Sequence, residues 1–172
     1  MPKADQLVNN FAVYENARDY YGLAEVEFPE VSFLTEEIKG AGMSGAIEAV
    51  VIGFLEAMTA KFNFRTVTEA AVKMTEPRIH NLDCRVAQQL HNTRTGTTSM
   101  EAVKHIMRTM PKKIAVGKAA PASTADVSGE HAVYYYAIYR NGKKEVELDP
   151  MNFICYINGR DYLKEVRKAL GK

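Results

Sequence analysis

Residues 58–65 read MTAKFNFR, and the alternation within this stretch decides the class of fold. One side of an extended chain carries Met58, Ala60, Phe62 and Phe64, and the other side carries Thr59, Lys61, Asn63 and Arg65. Strict alternation of this kind predicts a β-strand that buries one face and leaves the other face in water. The same period of two recurs along most of the chain, so the sequence predicts a mainly β protein with antiparallel strands.

Upstream of this strand, two strand-like segments are predicted at 11–15 and 20–28, joined through a polar turn. Pro29 ends the second segment, and residues 31–39 are expected to run on in an extended conformation. They lead into GAGMSG at 40–45, where three glycines favour a tight or exposed loop over a regular element.

Downstream of the strand, a long hairpin is predicted, with strands at 79–91 and 99–110 around the turn NTRTGTT. Strands in globular proteins usually have about 5–6 residues, so these two strands are long, and the tip that joins them is polar. The hairpin is therefore expected to project into solvent or to pair with another molecule.

The C-terminal third is predicted to contain a further strand at 131–140, which is rich in tyrosine. Alternation places on one face of this strand Tyr134, Tyr136 and Ile138, and on the other face Val133, Tyr135 and Tyr139. Two more strands, at 143–148 and 151–157, are predicted around the hairpin turns Asn141-Gly142 and Asn158-Gly159.

Two helices are predicted, one inside the chain and one near its C-terminus. Thr66 followed by Glu69 fits a capping box, which predicts a short internal helix over 69–75. Asp161 is expected to cap the C-terminal helix. The second helix is expected to pack on the sheet through an apolar stripe of Leu163, Val166 and Leu170.

The distribution of charge is uneven, although the net charge is only +1. Residues 1–60 contain three Lys/Arg against ten Asp/Glu, whereas residues 61–172 contain 19 against 11. Two interpretations remain open: chance clustering on a solvated surface, or two halves that face each other across a head-to-tail contact between copies. The length of 172 residues and the 47% apolar content fit one domain over residues 1–172.

The residues that usually carry chemistry are not grouped in the sequence. The four histidines, His80, His91, His105 and His131, lack the spacing of a metal site, and Cys84 and Cys155 are expected to be small core residues. The stretch GAGMSG lacks the spacing of a phosphate loop, and Ser44 does not lie in a nucleophile elbow. We therefore predict no enzyme, no metal and no cofactor.

A basic tract without acidic residues is formed by Lys104, Arg108, Lys112, Lys113 and Lys118. A solvated loop or a salt-bridge surface between subunits explains it better than specific nucleic-acid binding, because no recognition helix or stacking platform accompanies it. The polar N-terminal stretch lacks the apolar segment of a signal peptide, and no apolar run approaches ~18 residues. Folding in a cytoplasm is expected.

Two stretches resemble a known family. Residues 40–64, GAGMSGAIEAVVIGFLEAMTAKFNF, and residues 145–171, EVELDPMNFICYINGRDYLKEVRKALG, resemble the major tail tube proteins of contractile phage tails. The family is the P2-type tail tube family, which includes the tubes of R-type bacteriocins. The resemblance covers nearly the whole chain and is weakest over 119–130.

The resemblance implies a fold and a set of contact residues. Proteins of this family fold as an antiparallel β-sandwich or barrel with a flanking helix, six copies close into a ring, and the inner strands of the ring line a lumen. In relatives, the region that matches Gly40, Ala41, Gly42, Met43, Ser44 and Gly45 contacts neighbouring subunits and rings. The side chains of Thr59, Lys61, Asn63 and Arg65 are candidates for the lumen, together with one face of the 79–110 hairpin. The basic tract is not expected in the lumen, because attraction to phosphates would hinder the passage of DNA.

The function that the resemblance implies is structural. Hexameric rings stack into the inner tube of a contractile phage tail or tail-like bacteriocin, through which DNA or ions pass without specific binding. The expected partners are other copies of the chain, a sheath protein, a tape-measure protein, the baseplate and a tail terminator. Assembly is expected in the host bacterial cytoplasm, and the product is a virion tail or an extracellular bacteriocin particle.

Two alternatives remain. The first is the tube of a related contractile secretion system that carries protein effectors, which shares the ring architecture. The second is a small β-rich enzyme or nucleic-acid-binding module, which the scattered titratable residues do not favour.

Overall fold

The structure, a computed structural model, describes residues 3–172, and within this range β-strands dominate. The strands are β1 (Lys3–Glu15), β2 (Asp19–Tyr21), β3 (Glu25–Glu27), β4 (Phe33–Ile38), β5 (Ile47–Leu55), β6 (Met58–Phe64), β7 (His80–Asn92), β8 (Thr98–Ala115), β9 (Val127–Arg140), β10 (Lys143–Asp149), β11 (Ile154–Ile157) and β12 (Arg160–Asp161). The helices are α1 (Glu69–Lys73) and α2 (Lys164–Ala169). The predicted mainly β class is confirmed.

The main sheet is antiparallel and forks at β9. Its longest path runs in the order β12-β11-β10-β9-β8-β7-β1-β2. On the side of β9 away from β8, residues 127–133 pair with β6, and residues 136–140 pair with β10. The fork sends two branches over the core, β6 with β3 and β10 with β11 and β12, which gives a sandwich-like arrangement. Within residues 3–172 the sheet does not close into a barrel.

A β-bulge in β9 changes which tyrosines face the core. Arg108 of β8 lies opposite Tyr135, and the next residue of β8, Thr109, lies opposite Val133. Tyr134 is therefore an extra residue, and the alternation of side chains shifts by one position there. Val133 and Tyr136 are both buried, whereas Tyr134 is exposed. The prediction that Tyr134 and Tyr136 share a face is wrong for this reason.

The apolar side of β6 lies in the centre of the core. Met58, Ala60, Phe62 and Phe64 are all buried, as the alternation predicts. They pack in one cluster with Val13, Leu82, Met107 and Leu148. Cys84 and Cys155 are buried in the same cluster, and burial raises the pKa of the Cys84 thiol to about 12. The prediction that both cysteines are core residues is confirmed.

Both helices exist, but each begins differently from the prediction. The N-cap of α1 is Thr68, whose Oγ1 accepts a hydrogen bond from the Ala71 N–H at 3.1 Å, so the predicted capping role of Thr66 is wrong. Thr68 lies directly before the helix and can reach the third residue of the first turn. Neither helix has the length and apolar character needed to span a membrane.

The apolar stripe predicted for α2 is only partly buried. Leu163, which precedes the helix, is buried, but Val166 and Leu170 are exposed. Polar contacts hold the helix instead: Arg167 donates to the Phe153 carbonyl oxygen and to Asp161 Oδ2, each at 2.5 Å. Asp161 Oδ1 also accepts from the Leu163 N–H at 3.1 Å, but the N-cap of α2 is Leu163 and no side chain caps this helix, so the predicted capping role of Asp161 is wrong.

Candidate assembly surfaces

A hairpin stands apart from the main sheet and is here called the arm, residues 33–55. Its strands β4 and β5 pair only with each other and form a separate two-stranded sheet. Residues 31–39, expected as an extended segment, therefore contain the first strand of a hairpin. An isolated two-stranded hairpin is marginally stable in water, so the arm depends on contacts elsewhere.

The arm exposes apolar side chains on both of its faces. The exposed large apolar residues on it are Leu34, Ile38, Met43, Ile47, Val50, Val51, Ile52 and Phe54. Monomeric proteins rarely expose a contiguous apolar surface of this kind, and such patches mark interaction sites. The arm therefore has the composition of a surface that another molecule covers.

The tip of the arm is the predicted glycine-rich loop. The Met43 N–H donates to the Gly40 carbonyl oxygen at 3.2 Å, and Gly42 has a φ of +90°, which favours glycine. Residues 40–45 are all exposed, including Ala41, Ser44 and Gly45. The predicted loop is confirmed as an exposed loop. It connects β4 to β5 at the tip of the arm.

The base of the arm is seated on the end of the sheet through Gly53. This residue has a φ of +70°, and a Cβ placed there would lie 2.5 Å from Leu163 Cδ2. Leu163 thus occupies the space that a side chain at 53 would need. A gap of about 220 Å³ remains between Phe33 of the arm and Cys155 in the sheet. The base of the arm is therefore held by the close approach of Gly53 to Leu163 and by Phe33 and Leu55, which pack against the core, but this packing is incomplete.

A second surface is the four-strand face, defined as the outward side of β3, β6, residues 127–134 of β9 and residues 110–115 of β8. A row of alternating charge crosses its four strands, because register places opposite one another Glu27, Lys61, Glu130 and Lys113. Lys61 Nζ lies 2.9 Å from Glu27 Oε2, and Lys113 Nζ lies 4.0 Å from Glu130 Oε1. The hydrogen bond to Glu27 raises the pKa of Lys61.

Two further polar contacts lie on this face. Asn63 Nδ2 donates to Glu25 Oε2 at 3.3 Å, and Lys112 Nζ donates to Thr59 Oγ1 at 2.9 Å. A bulge in β8 lies between Pro111 and Lys113, so Lys112 reaches the same face as Lys113. The basic tract therefore extends onto the face that carries Thr59, so a lumen lined by Thr59 would also be lined by Lys112.

The charges of the four-strand face balance. Its carboxylates are Glu25, Glu27 and Glu130, and its ammonium groups are Lys61, Lys112 and Lys113. Exposed ion pairs contribute little to stability, typically about 0–1 kcal/mol each. Their effect is on the surface potential, because paired charges leave a hydrophilic surface with little net attraction for either sign.

The most strongly perturbed carboxylate lies inside the molecule. Burial alone would raise the pKa of Glu15, but hydrogen bonds from Arg78, Tyr21 and His80 lower it to about 2. Arg78 Nη1 and His80 Nδ1 each lie 2.7 Å from Glu15 Oε1. Burial lowers the pKa of the neighbouring His131 to about 4. These groups connect β1, β2, β7 and β9 and face the core, so they support the fold.

Local alternation predicts one side of β6 but not the residues of other strands that lie beside it. Thr59, Lys61 and Asn63 lie on the four-strand face, and Arg65 is exposed one residue beyond β6. Their partners were missed because pairing between distant strands cannot be read from local alternation. The apolar residues of β5 were also missed, although the run AIEAVVIGFL at 46–55 is apolar at both odd and even positions. That composition is a signal for a strand with two apolar faces.

The fold and the two surfaces define a class of protein, a β-rich structural protein. Residues 3–172 contain no group of His, Cys, Asp and Glu side chains that could hold a metal ion. A family model described as phage tail tube protein FII matches residues 5–171, and the chain belongs to this family. The function predicted from the sequence, a structural subunit of a tail tube, is confirmed.

The comparisons with individual proteins agree with this assignment. The chain is 25% identical over 174 residues to the tail tube protein of Escherichia phage P2, with 99% of this chain and 98% of that protein covered. The fold is similar to a chain of a sheath/tube terminator structure from an extracellular contractile injection system, PVC, with a TM-score of 0.55 and 11% identity. That match covers 79% of this chain and 97% of the other chain. A chain of the PVC sheath-tube complex gives a TM-score of 0.51 at 12% identity, covering 77% and 90%.

Proposed function

We propose that copies of this chain close into hexameric rings that stack into the inner tube of a contractile tail, in a phage or a tail-like bacteriocin. The observation that carries the proposal is the arm, which exposes apolar residues on both faces. Covering such residues releases roughly 25 cal/mol for each Å² of apolar surface removed from water. The arm of one copy therefore packs on neighbouring copies, and the 40–45 loop at its tip contacts the adjacent subunit or ring.

The four-strand face is proposed to line the lumen, with Thr59, Lys61, Asn63 and Arg65 among the lining residues. The balance of its charges supports this assignment, because DNA binds to surfaces on which unpaired Lys and Arg neutralise phosphates. Lys61 and Lys113 are paired with carboxylates and Lys112 with a neutral hydroxyl, and Arg65 adds one further positive charge, so the face attracts phosphates only weakly and lets DNA or ions pass without specific binding. The other predicted lumen element, the 79–110 hairpin, lies between β1 and β9 in the sheet.

The proposed partners follow from the tube. A sheath protein surrounds the tube, a terminator closes its end, the baseplate nucleates it, and a tape-measure protein occupies the growing lumen. The similar folds include chains from a PVC sheath-tube complex and from a sheath/tube terminator, which is consistent with such neighbours. Assembly takes place in the bacterial cytoplasm, and the finished tube belongs to a virion tail or an extracellular particle.

The test is negative-stain electron microscopy of the purified chain over a series of concentrations. We expect sixfold rings and hollow tubes above a threshold concentration. A variant with Ile47→Ser and Val50→Ser on the arm should raise the threshold at least tenfold while its circular dichroism spectrum stays unchanged. Met151→Ser, an equally polar change at a residue that is 78% exposed outside the arm, serves as the control. Monomers at all concentrations, with and without a baseplate preparation, would overturn the proposal.

The contents of the lumen distinguish a phage tail tube from the remaining alternative, the tube of a contractile secretion system. A tube of a contractile secretion system would retain protein effectors in its lumen, whereas a phage tail tube would not. Mass spectrometry of tubes isolated from the producing bacterium separates the two, because stoichiometric effector proteins are expected only in the first case.

A further inference from the structure

The arm consists of two paired sections with an irregular stretch between them. At its base, Phe33 lies opposite Leu55, and the next pair toward the tip is Thr35 with Val50. Residues 51–54 of β5 therefore lie opposite a single residue of β4. Extra residues of this kind interrupt the ladder and bend the strand that carries them. This stretch, residues 51–54, is here called the hinge.

The two sections differ in how firmly the rest of the subunit holds them. At the base, Phe33 and Leu55 pack against the core. The hinge is fixed at one point, where Gly53 approaches Leu163 closely. In the outer section, residues 35–50, all residues but one are exposed. The hydrogen bonds and ion pairs of this section, as far as residues 3–172 show them, stay inside the arm. The outer section can therefore change direction at the hinge.

An apolar gap of about 220 Å³ lies beneath the hinge, between the arm and the end of the sheet. The arm lines it with Phe33, Val50, Ile52 and Gly53, and the opposite wall consists of Cys155, Ile157 and Tyr162. Val50 is 57% exposed and Ile52 is 67% exposed, although both line the gap. Two apolar walls thus face each other without closing on each other.

A turn at the hinge would close the gap. It would bring Val50 and Ile52 onto Ile157 and Tyr162, and each Å² of apolar surface removed from water contributes roughly 25 cal/mol. Among the described residues that line the gap none is charged, so closure desolvates no ion. The ladder of the outer section and the packing of the base can both persist, because the change is confined to the hinge. Gly53, with a φ of +70°, is the pivot.

We propose that the arm is a strap that closes onto its own subunit, with Val50 and Ile52 packed on Ile157 and Tyr162, and that this closed position holds back assembly. The inference rests on the proposed function, in which the arm packs on neighbouring copies. The same side chains cannot be covered by both surfaces at once, so a closed subunit cannot use them to bind its neighbours. The apparent affinity between copies falls with the fraction of subunits whose arm is open.

A change on the wall opposite the arm tests this inference through the sign of its effect. Tyr162→Ala should lower the threshold concentration for tubes several-fold, because it weakens the closed position and leaves the arm unchanged. Tyr134→Ala is the matched control, because both tyrosines are 43% exposed and Tyr134 does not line the gap. The control should leave the threshold unchanged. A threshold that Tyr162→Ala raises or leaves unchanged would overturn the proposal.

A reversible cross-link tests the closed position itself. Ile52→Cys with Tyr162→Cys places one thiol on each wall of the gap, and both native cysteines are buried, which keeps the background low. A short bis-thiol linker attached through disulfides should join the two positions within one chain in the dilute monomer. Peptide mass spectrometry identifies the linked pair. The linked protein should form no tubes, and reductant should restore them.

The matched control moves the first cysteine within the hinge. Phe54 is 58% exposed but does not line the gap, so Phe54→Cys with Tyr162→Cys should give little cross-linking within the chain. Equal cross-linking of the two double variants, no cross-linking of Ile52→Cys/Tyr162→Cys, or tubes from its linked form would each overturn the closed position. Tubes from the unmodified chain would in these cases leave the proposed function intact, whereas their absence overturns both.

Discussion

The arm and the four-strand face are both open to solvent, yet they are built from opposite kinds of residue. The arm is apolar on both sides and touches the rest of the subunit closely at Gly53. The four-strand face is charged, its charges are paired, and its reverse side is the core. Apolar burial supplies affinity without direction, whereas complementary charge supplies register and specificity. Under the proposed function, the arm supplies the affinity between copies, whereas the four-strand face stays open to the lumen.

The largest expected effect is a difference in stability between variants of two phenylalanines. Phe62, beneath the four-strand face, is 1% exposed, whereas Phe54 on the arm is 58% exposed. Phe62→Ala should lower the free energy of unfolding by about 3–5 kcal/mol, because it leaves a cavity in the core. Phe54→Ala should change it by less than about 0.5 kcal/mol while weakening assembly. Urea unfolding of the dilute monomer measures the free energy of unfolding, and microscopy measures assembly. Similar losses of stability in the two variants would contradict the contrast.

Lowering the pH should destabilise the core beneath the four-strand face before it affects the arm. His131, beneath this face, has a pKa lowered by burial to about 4, so the folded state resists its protonation. Its contribution to stability is complete above its ordinary pKa of about 6.5 and is lost as pH falls from there toward 4. Glu15 has a pKa of about 2, so its contribution is lost between about pH 4.5 and pH 2. The arm contains no histidine.

The corresponding measurement is urea unfolding of the monomer at pH 7, 5 and 3. The free energy of unfolding should fall at each step, and Glu15 should contribute roughly 2 kcal/mol to the fall between pH 5 and pH 3, because its full loss of about 3 kcal/mol is complete only near pH 2. The variant Glu15→Gln should be less stable at pH 7 and should lose less between pH 4.5 and pH 2. A parallel loss in the variant and the unmodified chain would assign the acid sensitivity to other groups.

A change at the base of the arm should have an intermediate effect on stability. Gly53→Ala combines a φ of +70° with a Cβ 2.5 Å from Leu163, so the base of the arm must shift. We expect a loss of about 1–2 kcal/mol in stability and faster hydrogen exchange of the arm amides, measured by mass spectrometry. Gly45→Ala is the control, because nothing lies within 4 Å of its Cβ and its φ is not positive. Unchanged exchange in Gly53→Ala would show that the arm is not seated through this contact.

The two regions also differ in how far the sequence predicts them. The strand β6 follows from alternation because Phe62 and Lys61 alternate within one segment, and the core face was predicted correctly. The row of charges that crosses the four-strand face was not predicted, because Glu27 and Lys113 join the same row only through pairings of distant segments. Local pattern determines which side of a strand is buried, but long-range register determines its neighbours.

The arm was missed for a different reason. Its second strand, β5, has apolar residues at consecutive positions, so no period distinguishes one face from the other. A strand of this composition is expected only where both faces are covered, and within one subunit they are not. The sequence of the arm is consistent with an assembly rather than with the monomer, so only residues 31–39 are predicted as extended, and β5 is not predicted. The bulge at Tyr134 was likewise beyond local alternation, because it arises from pairing with β8.

The smallest expected effect concerns the acidic end of the arm. Glu37 on β4 lies directly opposite Glu48 on β5, and Lys39 Nζ lies 3.6 Å from Glu37 Oε1. Reversing Glu36 and Glu37 to lysine removes this like-charge pair, so the monomer should gain a few tenths of a kcal/mol. If the acidic arm packs against the basic part of a neighbour, the same change should raise the threshold for assembly several-fold at low salt.

Salt dependence decides between the two interpretations of the uneven charge. Because screening weakens attraction and repulsion between exposed charges, the difference between the variant and the unmodified chain should shrink between about 50 mM and 500 mM salt. Glu165→Lys, an exposed acidic position on α2, is the control for net charge alone. If the threshold concentration for assembly shifts equally per charge at the arm and at α2, the uneven charge acts only through general surface repulsion. A larger shift at the arm, removed by salt, would mean that the apolar arm is guided by charge to the surface on which it packs.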